Sequence, residues 1–211
     1  MRVGPGNRAA AVAVAVAVIG LTGCGSGGGG RASTPEPAST LASASASASA
    51  AQIRPGGTLG GAGSPCELPV TFDIAEEWTA ESVDTPLEIG SVTLACEIDA
   101  KPAGHIGYLR VWTGTPGDDD PEAVLRAHLA VDTGAVKSGE RYRSLTIGGA
   151  PAAEVSYVSS DDILGERPEL AFALTTPDGP VVVTLDAPDA DEHEAVRPGY
   201  ELARRTLRPA G

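Results

Sequence analysis

Residues 25–64 contain few large apolar side chains, and this stretch limits what the chain can fold into. It consists mainly of Gly, Ser, Ala and Pro, with a glycine run at 27–30 and a Ser/Ala stretch at 43–51. A segment of this composition buries too little apolar surface to offset the entropy lost on ordering. We therefore expect residues 24–64 to be a disordered tether, about 40 residues with a root-mean-square span of roughly 35 Å. Residues 65–209 are then expected to form one globular domain.

An apolar run precedes this tract and ends at a cysteine. Residues 9–20 are rich in Ala and Val. At about a dozen residues the run suits a signal peptide and falls short of the ~20 needed to span a bilayer. Leu21-Thr22-Gly23-Cys24 then matches the bacterial lipobox pattern of aliphatic, small, small and cysteine. We predict that residues 1–23 are a signal peptide and that Cys24 is lipidated, which anchors the protein at the outer face of the cytoplasmic membrane. The alternative is an ordinary secretory signal in which Cys24 is incidental.

The chain is strongly acidic, with 15 Lys and Arg against 28 Asp and Glu and a net charge of −13. Loss of Arg2 and Arg8 with the signal makes the balance more negative. Such a surface disfavours nucleic acid and direct adsorption to anionic lipid, and it favours solubility or a basic partner. The alternative is that the excess reflects a general compositional bias of the source proteome, so the charge alone identifies no partner.

After residue 65 the apolar residues become periodic, which indicates regular secondary structure. Asp120-Pro121 is typical of a helix start, because the carboxylate caps the helix and proline needs no partner for its missing N–H. A second helical pattern covers residues 189–207, and Pro198-Gly199 either ends a short first helix or begins the main one. Strand patterns occur at 70–74, 92–98, 107–113, 142–147, 152–159, 170–175 and 181–187, with a polar loop at 161–168. The order predicts an α+β fold, an antiparallel sheet covered by helices.

Four short motifs carry a family resemblance. They are Val70-Thr71-Phe72-Asp73-Ile74 running to Trp78, the helix start at Asp120-Pro121, the Ile-Gly-Gly-Ala-Pro-Ala segment at 147–152, and Val196-Arg197-Pro198-Gly199-Tyr200. Together with the lipobox they make the chain similar to Mog1/PsbP-like proteins, and among these to the actinobacterial LpqN-type lipoproteins. The resemblance implies an α/β/α sandwich and a non-enzymatic role as a scaffold, an assembly factor or an envelope lipoprotein. It implies no catalytic residues and no cofactor.

Cys66 and Cys96 are the cysteines that remain once Cys24 is lipidated. An even pair in an oxidising compartment predicts a disulfide. It would close a loop of about 30 residues, for which the chain-entropy model gives roughly 3–4 kcal/mol. The alternative is a pair of buried thiols.

No motif in the sequence predicts catalysis or a metal site. His105, His128 and His193 are far apart, and the domain has neither a Gly-x-Ser-x-Gly motif nor a zinc-type histidine pair. The acidic clusters at 118–120 and 189–194 lack the ligand spacing of a calcium loop, and both stand where helix starts favour carboxylates.

The sequence therefore favours a non-catalytic binding or scaffold domain with a protein partner in the cell envelope. The acidic segments 118–120 and 161–169 are its candidate recognition loops. The alternative is a carrier of a small apolar ligand or lipid, held in a groove on one face of the sheet. An envelope enzyme is the third hypothesis.

Overall fold

The computed structural model describes residues 53–131 and 133–210. The predicted signal peptide, Cys24 and most of the predicted tether lie outside this part of the chain. Its elements are β1 Pro55–Leu59, β2 Val70–Ala75, β3 Thr79–Ser82, β4 Glu88–Ile89, β5 Val92–Asp99, a 3-10 turn Lys101–Ala103, β6 Tyr108–Gly114, α1 Pro121–Ala130, β7 Val136–Ile147, β8 Ala150–Asp161, β9 Gly165–Thr176, β10 Gly179–Asp186, α2 Ala190–Thr206 and β11 Arg208–Pro209. No helix among these residues is long and apolar enough to cross a membrane.

The described strands form two antiparallel sheets. The large sheet has the order β3-β5-β6-β10-β9-β8-β7, with β4 also pairing with β5, and the small sheet has the order β1-β2-β11. Helix α1 packs on one face of the large sheet, and α2 packs with the small sheet on the other face. This arrangement confirms the predicted α+β fold, an antiparallel sheet flanked by helices.

The predicted α1 start is present, and two glycines form a tight turn after β7. The Asp120 side chain accepts a hydrogen bond from the backbone N–H of Ala123, and Pro121 occupies the first helical position. Gly148-Gly149 joins β7 to β8 with positive φ angles of 59° and 89°, a conformation that favours glycine. The predicted loop at 161–168 is much shorter, because β8 runs to Asp161 and β9 begins at Gly165.

The fold begins earlier than predicted. Residues 55–59, which we assigned to the tether, form β1 and pair with β2, and the Leu59 side chain is buried. The Thr58 hydroxyl donates to Asp73, 2.7 Å away. Sequence composition misses this strand because three of its five residues are Pro or Gly, and its stability comes from the bonds it makes with β2.

The apolar side chains of β5 pack on both faces of the large sheet. A bulge between Leu94 and Cys96 shifts the register against β6. Val92 and Leu94 therefore pack on the α1 face, whereas Cys96 and Ile98 pack on the α2 face. The extra residue at a bulge reverses the side-chain alternation.

Helix α2 continues through Pro198, contrary to both alternatives considered above. Gly199 lies against Trp78, and a Cβ at this position would be 2.3 Å from the indole ring. The close packing of the helix on Trp78, together with the burial of Val196 and Tyr200, offsets the backbone hydrogen bond that Pro198 cannot make.

A buried carboxylate fastens α2 to the large sheet. Glu154 of β8 is only 4% exposed. Its Oε1 atom accepts hydrogen bonds from the Tyr200 hydroxyl at 3.1 Å and the Arg204 guanidinium at 2.6 Å, and Arg143 of β7 contacts Oε2. The burial of this charge is therefore balanced by donors from two elements.

Cys66 and Cys96 form the predicted disulfide, with their Cα atoms 5.9 Å apart. Both side chains are buried in the core between the two sheets. The bond joins the segment between β1 and β2 to β5 of the large sheet.

Candidate binding groove

Helix α1 covers only part of its face of the large sheet, and the rest forms an open groove of about 930 Å³. Under α1 the sheet presents the buried apolar side chains of Trp112, Val155, Ala171 and Val182. Beyond the end of α1 the same strands present polar and charged side chains to the groove. The volume lies within the range of about 300–1,000 Å³ that is typical of small-ligand sites.

The floor of the groove comes from five strands. Side chains on a strand alternate between faces, so the residues two positions along from the apolar cluster also lie on the α1 face. The floor residues are Glu97, Arg110, Tyr157, Ser159, Asp161, Arg167, Glu169, Thr184 and Asp186.

Apolar side chains form much of the rim. Ile163 and Leu164, at the tip of the β8–β9 hairpin, are 90% and 48% exposed, and Leu87 is 50% exposed on the β3–β4 connection. Ile89 and Leu94 also line the groove. A ligand here therefore meets apolar walls and a charged floor.

One end of the floor is an ordered chain of ion pairs. The Nε atom of Arg110 donates to Glu97 at 2.6 Å, and its NH1 atom lies 3.4 Å from Asp186. The Thr184 hydroxyl donates to Asp186 at 2.8 Å, and the Trp112 indole N–H donates to Thr184 at 3.5 Å. The Arg110 guanidinium is thus already engaged by two carboxylates.

Arg167 is held in the same way at the other end. It lies 2.6 Å from Asp161 and 3.1 Å from Glu169. Asp161 also accepts from the backbone N–H groups of Leu164 and Ile163, each at 2.8 Å. These bonds, first that of Leu164 and then that of Arg167, lower the pKa of Asp161 to about 2.

Glu169 is the most perturbed carboxyl group of the floor. Burial first, and then the nearby charge of Asp186, raise the pKa of Glu169 to about 8, against the opposing effect of Arg167. The register of β9 and β10 continues from Leu170 opposite Leu185, which places Glu169 and Asp186 side by side on one face. Like charges directly opposite each other on adjacent strands repel.

A neutral histidine closes the α1 end of the groove. The His128 ring packs edge-on against Trp112, with 5.0 Å between the ring centroids. Its Nδ1 atom is buried and has no hydrogen-bond partner among the described protein atoms. Burial lowers the pKa of His128 to about 4, although a hydrogen bond with the Ile89 backbone acts in the opposite direction.

A smaller cavity of about 290 Å³ continues the groove past Arg110 and Arg167. Ile106, Tyr108 and Pro188 line its far side, and Ile106 is 60% exposed. The continuous site therefore offers apolar contacts on both sides of Glu169 and Asp186.

The structure separates most of the residues that the sequence singled out. His105 lies beside Glu192 at 4.0 Å, and the Asp189 side chain caps α2 by accepting from the Glu192 N–H. Asp120 caps α1. No group of three or more His, Cys, Asp or Glu side chains in residues 53–131 and 133–210 could hold a metal ion.

The predicted recognition loop at 161–169 proves to be part of the groove. Its Asp161 and Glu169 are paired with Arg167 rather than free on an acidic surface. No motif in the sequence indicated the rest of the groove. Arg110 and Asp186 are charged positions on otherwise apolar strands, and only the strand order brings them together.

Comparisons with known proteins matched the chain to a protein family and to a solved structure. A family model described as "Uncharacterised lipoprotein" matches residues 36–207. The solution structure of cyanobacterial PsbP (CyanoP) from Synechocystis sp. PCC 6803 has a TM-score of 0.50 at 12% identity, over 67% of this chain and 87% of that chain. This likeness shows a PsbP-like fold and nothing about activity. No curated protein matches the chain.

Proposed function

Because the chain belongs to this family of uncharacterised lipoproteins, we propose that it is an anchored, extracytoplasmic binding protein that holds its ligand in the groove. Family membership indicates a membrane-attached, extracytoplasmic protein. The finer assignments, lipidation at Cys24, removal of residues 1–23, a tether and the LpqN-type resemblance, belong to this proposal and rest on the sequence.

The groove is the observation that carries the proposal. Its charged side chains are fixed by ion pairs and by backbone N–H groups before any ligand arrives, so they need little ordering on binding. Its apolar rim is exposed, and exposed apolar patches commonly mark binding sites. The floor is too highly charged for the purely apolar carrier that the sequence left open, since such a ligand would strip water from charged groups without replacing their hydrogen bonds.

Binding in place of catalysis is supported by how the floor groups are engaged. The two arginines and the Thr184 hydroxyl are hydrogen bonded to carboxylates, and His128 is buried and neutral at physiological pH. A triad would need a nucleophile within reach of a base that is itself oriented by a third group. The groove groups are arranged instead as a rigid, polar surface.

The anchor is tested by replacing Cys24. We expect Cys24→Ala to move the protein from the membrane fraction to the medium, or to leave it as an unprocessed precursor, because the thiol that receives the lipid is gone. Fractionation of cells followed by immunoblotting measures this. A processed Cys24→Ala protein that stays with the membrane contradicts the lipidation.

The groove is tested by filling it. Ala135 is half-buried on its rim, and we expect Ala135→Trp to occupy the space and remove any ligand that copurifies with the protein. Native mass spectrometry of protein extracted from envelopes measures the bound mass. The matched control is Ala190→Trp, at the exposed start of α2, which should keep the ligand. Equal loss from both variants, or retention by Ala135→Trp, would place binding outside the groove.

A further inference from the structure

The groove has a negative charge balance at its lining. Its described lining residues include five carboxylates, Glu97, Asp161, Asp162, Glu169 and Asp186, against three basic groups, Arg110, Lys137 and Arg167. The basic groups are also engaged: Arg110 and Arg167 donate to carboxylates, and the Lys137 ammonium donates to the Val131 carbonyl at 2.9 Å. An anionic ligand would have to displace these partners, whereas a cation meets a lining in which carboxylates outnumber basic groups.

Two of the carboxylates lie directly opposite each other on adjacent strands, and no basic residue separates them. Glu169 and Asp186 are neighbours across β9 and β10, while Arg167 and Arg110 lie to their sides. Glu169 is 6% exposed. A cation placed against both would be attracted to the charge of Asp186 and would favour ionisation of the buried Glu169 beside it.

We propose that the groove binds a protonated amine attached to an apolar chain, with the ammonium group against Glu169 and Asp186 and the chain along Leu87, Ile163 and Leu164. The proposal rests on the binding function argued above and names the class of its ligand. Charge complementarity selects the ammonium head, and the apolar rim on both sides of the carboxylate pair accommodates the chain. A primary amine, whose pKa is about 10, stays charged over the whole neutral range.

Binding of this kind must release a proton. The groups that face Glu169 are Arg167 on its own strand, Tyr157, Ser159 and Asp161 on β8, Thr184 and Asp186 on β10, and Arg110 on β6. Burial and Asp186 raise the pKa of Glu169 to about 8, so the carboxyl group is largely protonated at pH 7 in the free protein. An ammonium ion favours the ionised form. Affinity is therefore expected to rise with pH through 8 and to level off above it.

The test uses the full chain in detergent, titrated calorimetrically with octylammonium chloride, octanoate or octanol, with protein-free micelles as the blank. We expect octylammonium to bind at least tenfold more tightly than either of the other probes at pH 9. Its affinity should fall by roughly thirtyfold between pH 9 and pH 6.5, as the ionised fraction of Glu169 falls. At pH 7 the heat should depend on the ionisation enthalpy of the buffer, which reports proton release.

Substitutions assign the effect to the carboxylate pair. Glu169→Gln should remove the pH dependence and the proton release, and Glu194→Gln, an equal charge change on the exposed side of α2, should leave both unchanged. Asp186→Asn provides an independent variant if Glu169→Gln fails to fold. It should weaken binding and shift the midpoint of the pH dependence to lower pH, because it removes a charge that raises the pKa of Glu169.

The possible outcomes distinguish the failure of the cationic ligand class from the failure of ligand binding in the groove. If octanoate or octanol binds as well as octylammonium and Ala135→Trp abolishes that binding, the groove binds ligands and the cationic class is wrong. If no probe binds and extracted protein carries no ligand, the binding function fails as well. An acetylated, amidated Leu-Lys-Leu peptide identifies the source of the amine: tighter binding than octylammonium would indicate a lysine side chain of a protein rather than a free amphiphile.

Discussion

Replacing Glu154 with alanine is expected to lower the free energy of unfolding by about 3–5 kcal/mol. The substitution removes the only carboxylate that the structure shows accepting from Tyr200 and Arg204 within the described residues. The Tyr200 side chain is almost fully buried, so its hydroxyl cannot regain a water partner without opening the interface between α2 and the sheet. Urea unfolding followed by circular dichroism measures the loss.

The control is an exposed pair on the same helix. Glu201 lies 3.4 Å from Arg197, and both side chains are more than two-fifths exposed, so Glu201→Ala should cost less than about 1 kcal/mol. Within the network itself, Arg204→Ala should cost more than Arg143→Ala, because the Arg143 side chain is 62% exposed and that of Arg204 is 26% exposed. Similar losses for Glu154→Ala and Glu201→Ala would mean that water replaces the missing carboxylate.

Removal of the Cys66–Cys96 disulfide is expected to lower the free energy of unfolding by about 3–4 kcal/mol. The two residues are 30 apart in sequence, and the bond restricts that loop in the unfolded chain. Replacing both with alanine avoids leaving a free thiol in the core. The unfolding midpoint of the double variant in urea should match that of the unaltered protein after reduction.

Cys24→Ala serves as the control for this experiment, since that cysteine lies outside the disulfide. Its unfolding midpoint should respond to reductant as the unaltered protein does. A double variant that unfolds at the same urea concentration as the oxidised protein would contradict the expected stabilisation by the disulfide.

The sequence predicted those structural elements that are determined by residues close together in the chain. The helix start at Asp120-Pro121 and the strand patterns at 170–175 and 181–187 are determined by residues close together in the chain, and all are present. The pairing of Cys66 with Cys96 followed from there being two cysteines available after Cys24. These are cases in which a few neighbouring residues, or simple counting, decide the outcome.

The missed features depend on contacts between distant segments. β1 contains Pro55, Gly56 and Gly57, and it is a strand only because β2 offers it a partner. Helix α2 passes through Pro198 because Gly199 lets the helix approach Trp78. Neither cause can be read from the residues on either side.

The groove was missed for the same reason. Arg110, Arg167 and Asp186 belong to three strands, and each alone reads as an ordinary solvent-facing position. They meet only because β10 lies between β6 and β9. A charged residue within or at the end of an otherwise apolar strand, as at Arg110 and Asp186, was the available signal, and it indicates a shared polar face only after the strand order is known.

The disulfide also determines how the domain responds to mechanical load. A pull on the chain at Ile53 acts first on β1, which is held to the fold by its pairing with β2. Unravelling stops at Cys66, where the covalent bond passes the tension to Cys96 within the large sheet. The length of chain that residues 53–65 can add is then limited to roughly 45 Å at full extension. Beyond that length, force applied through the anchor is delivered to the residue next to Glu97, at the edge of the groove floor.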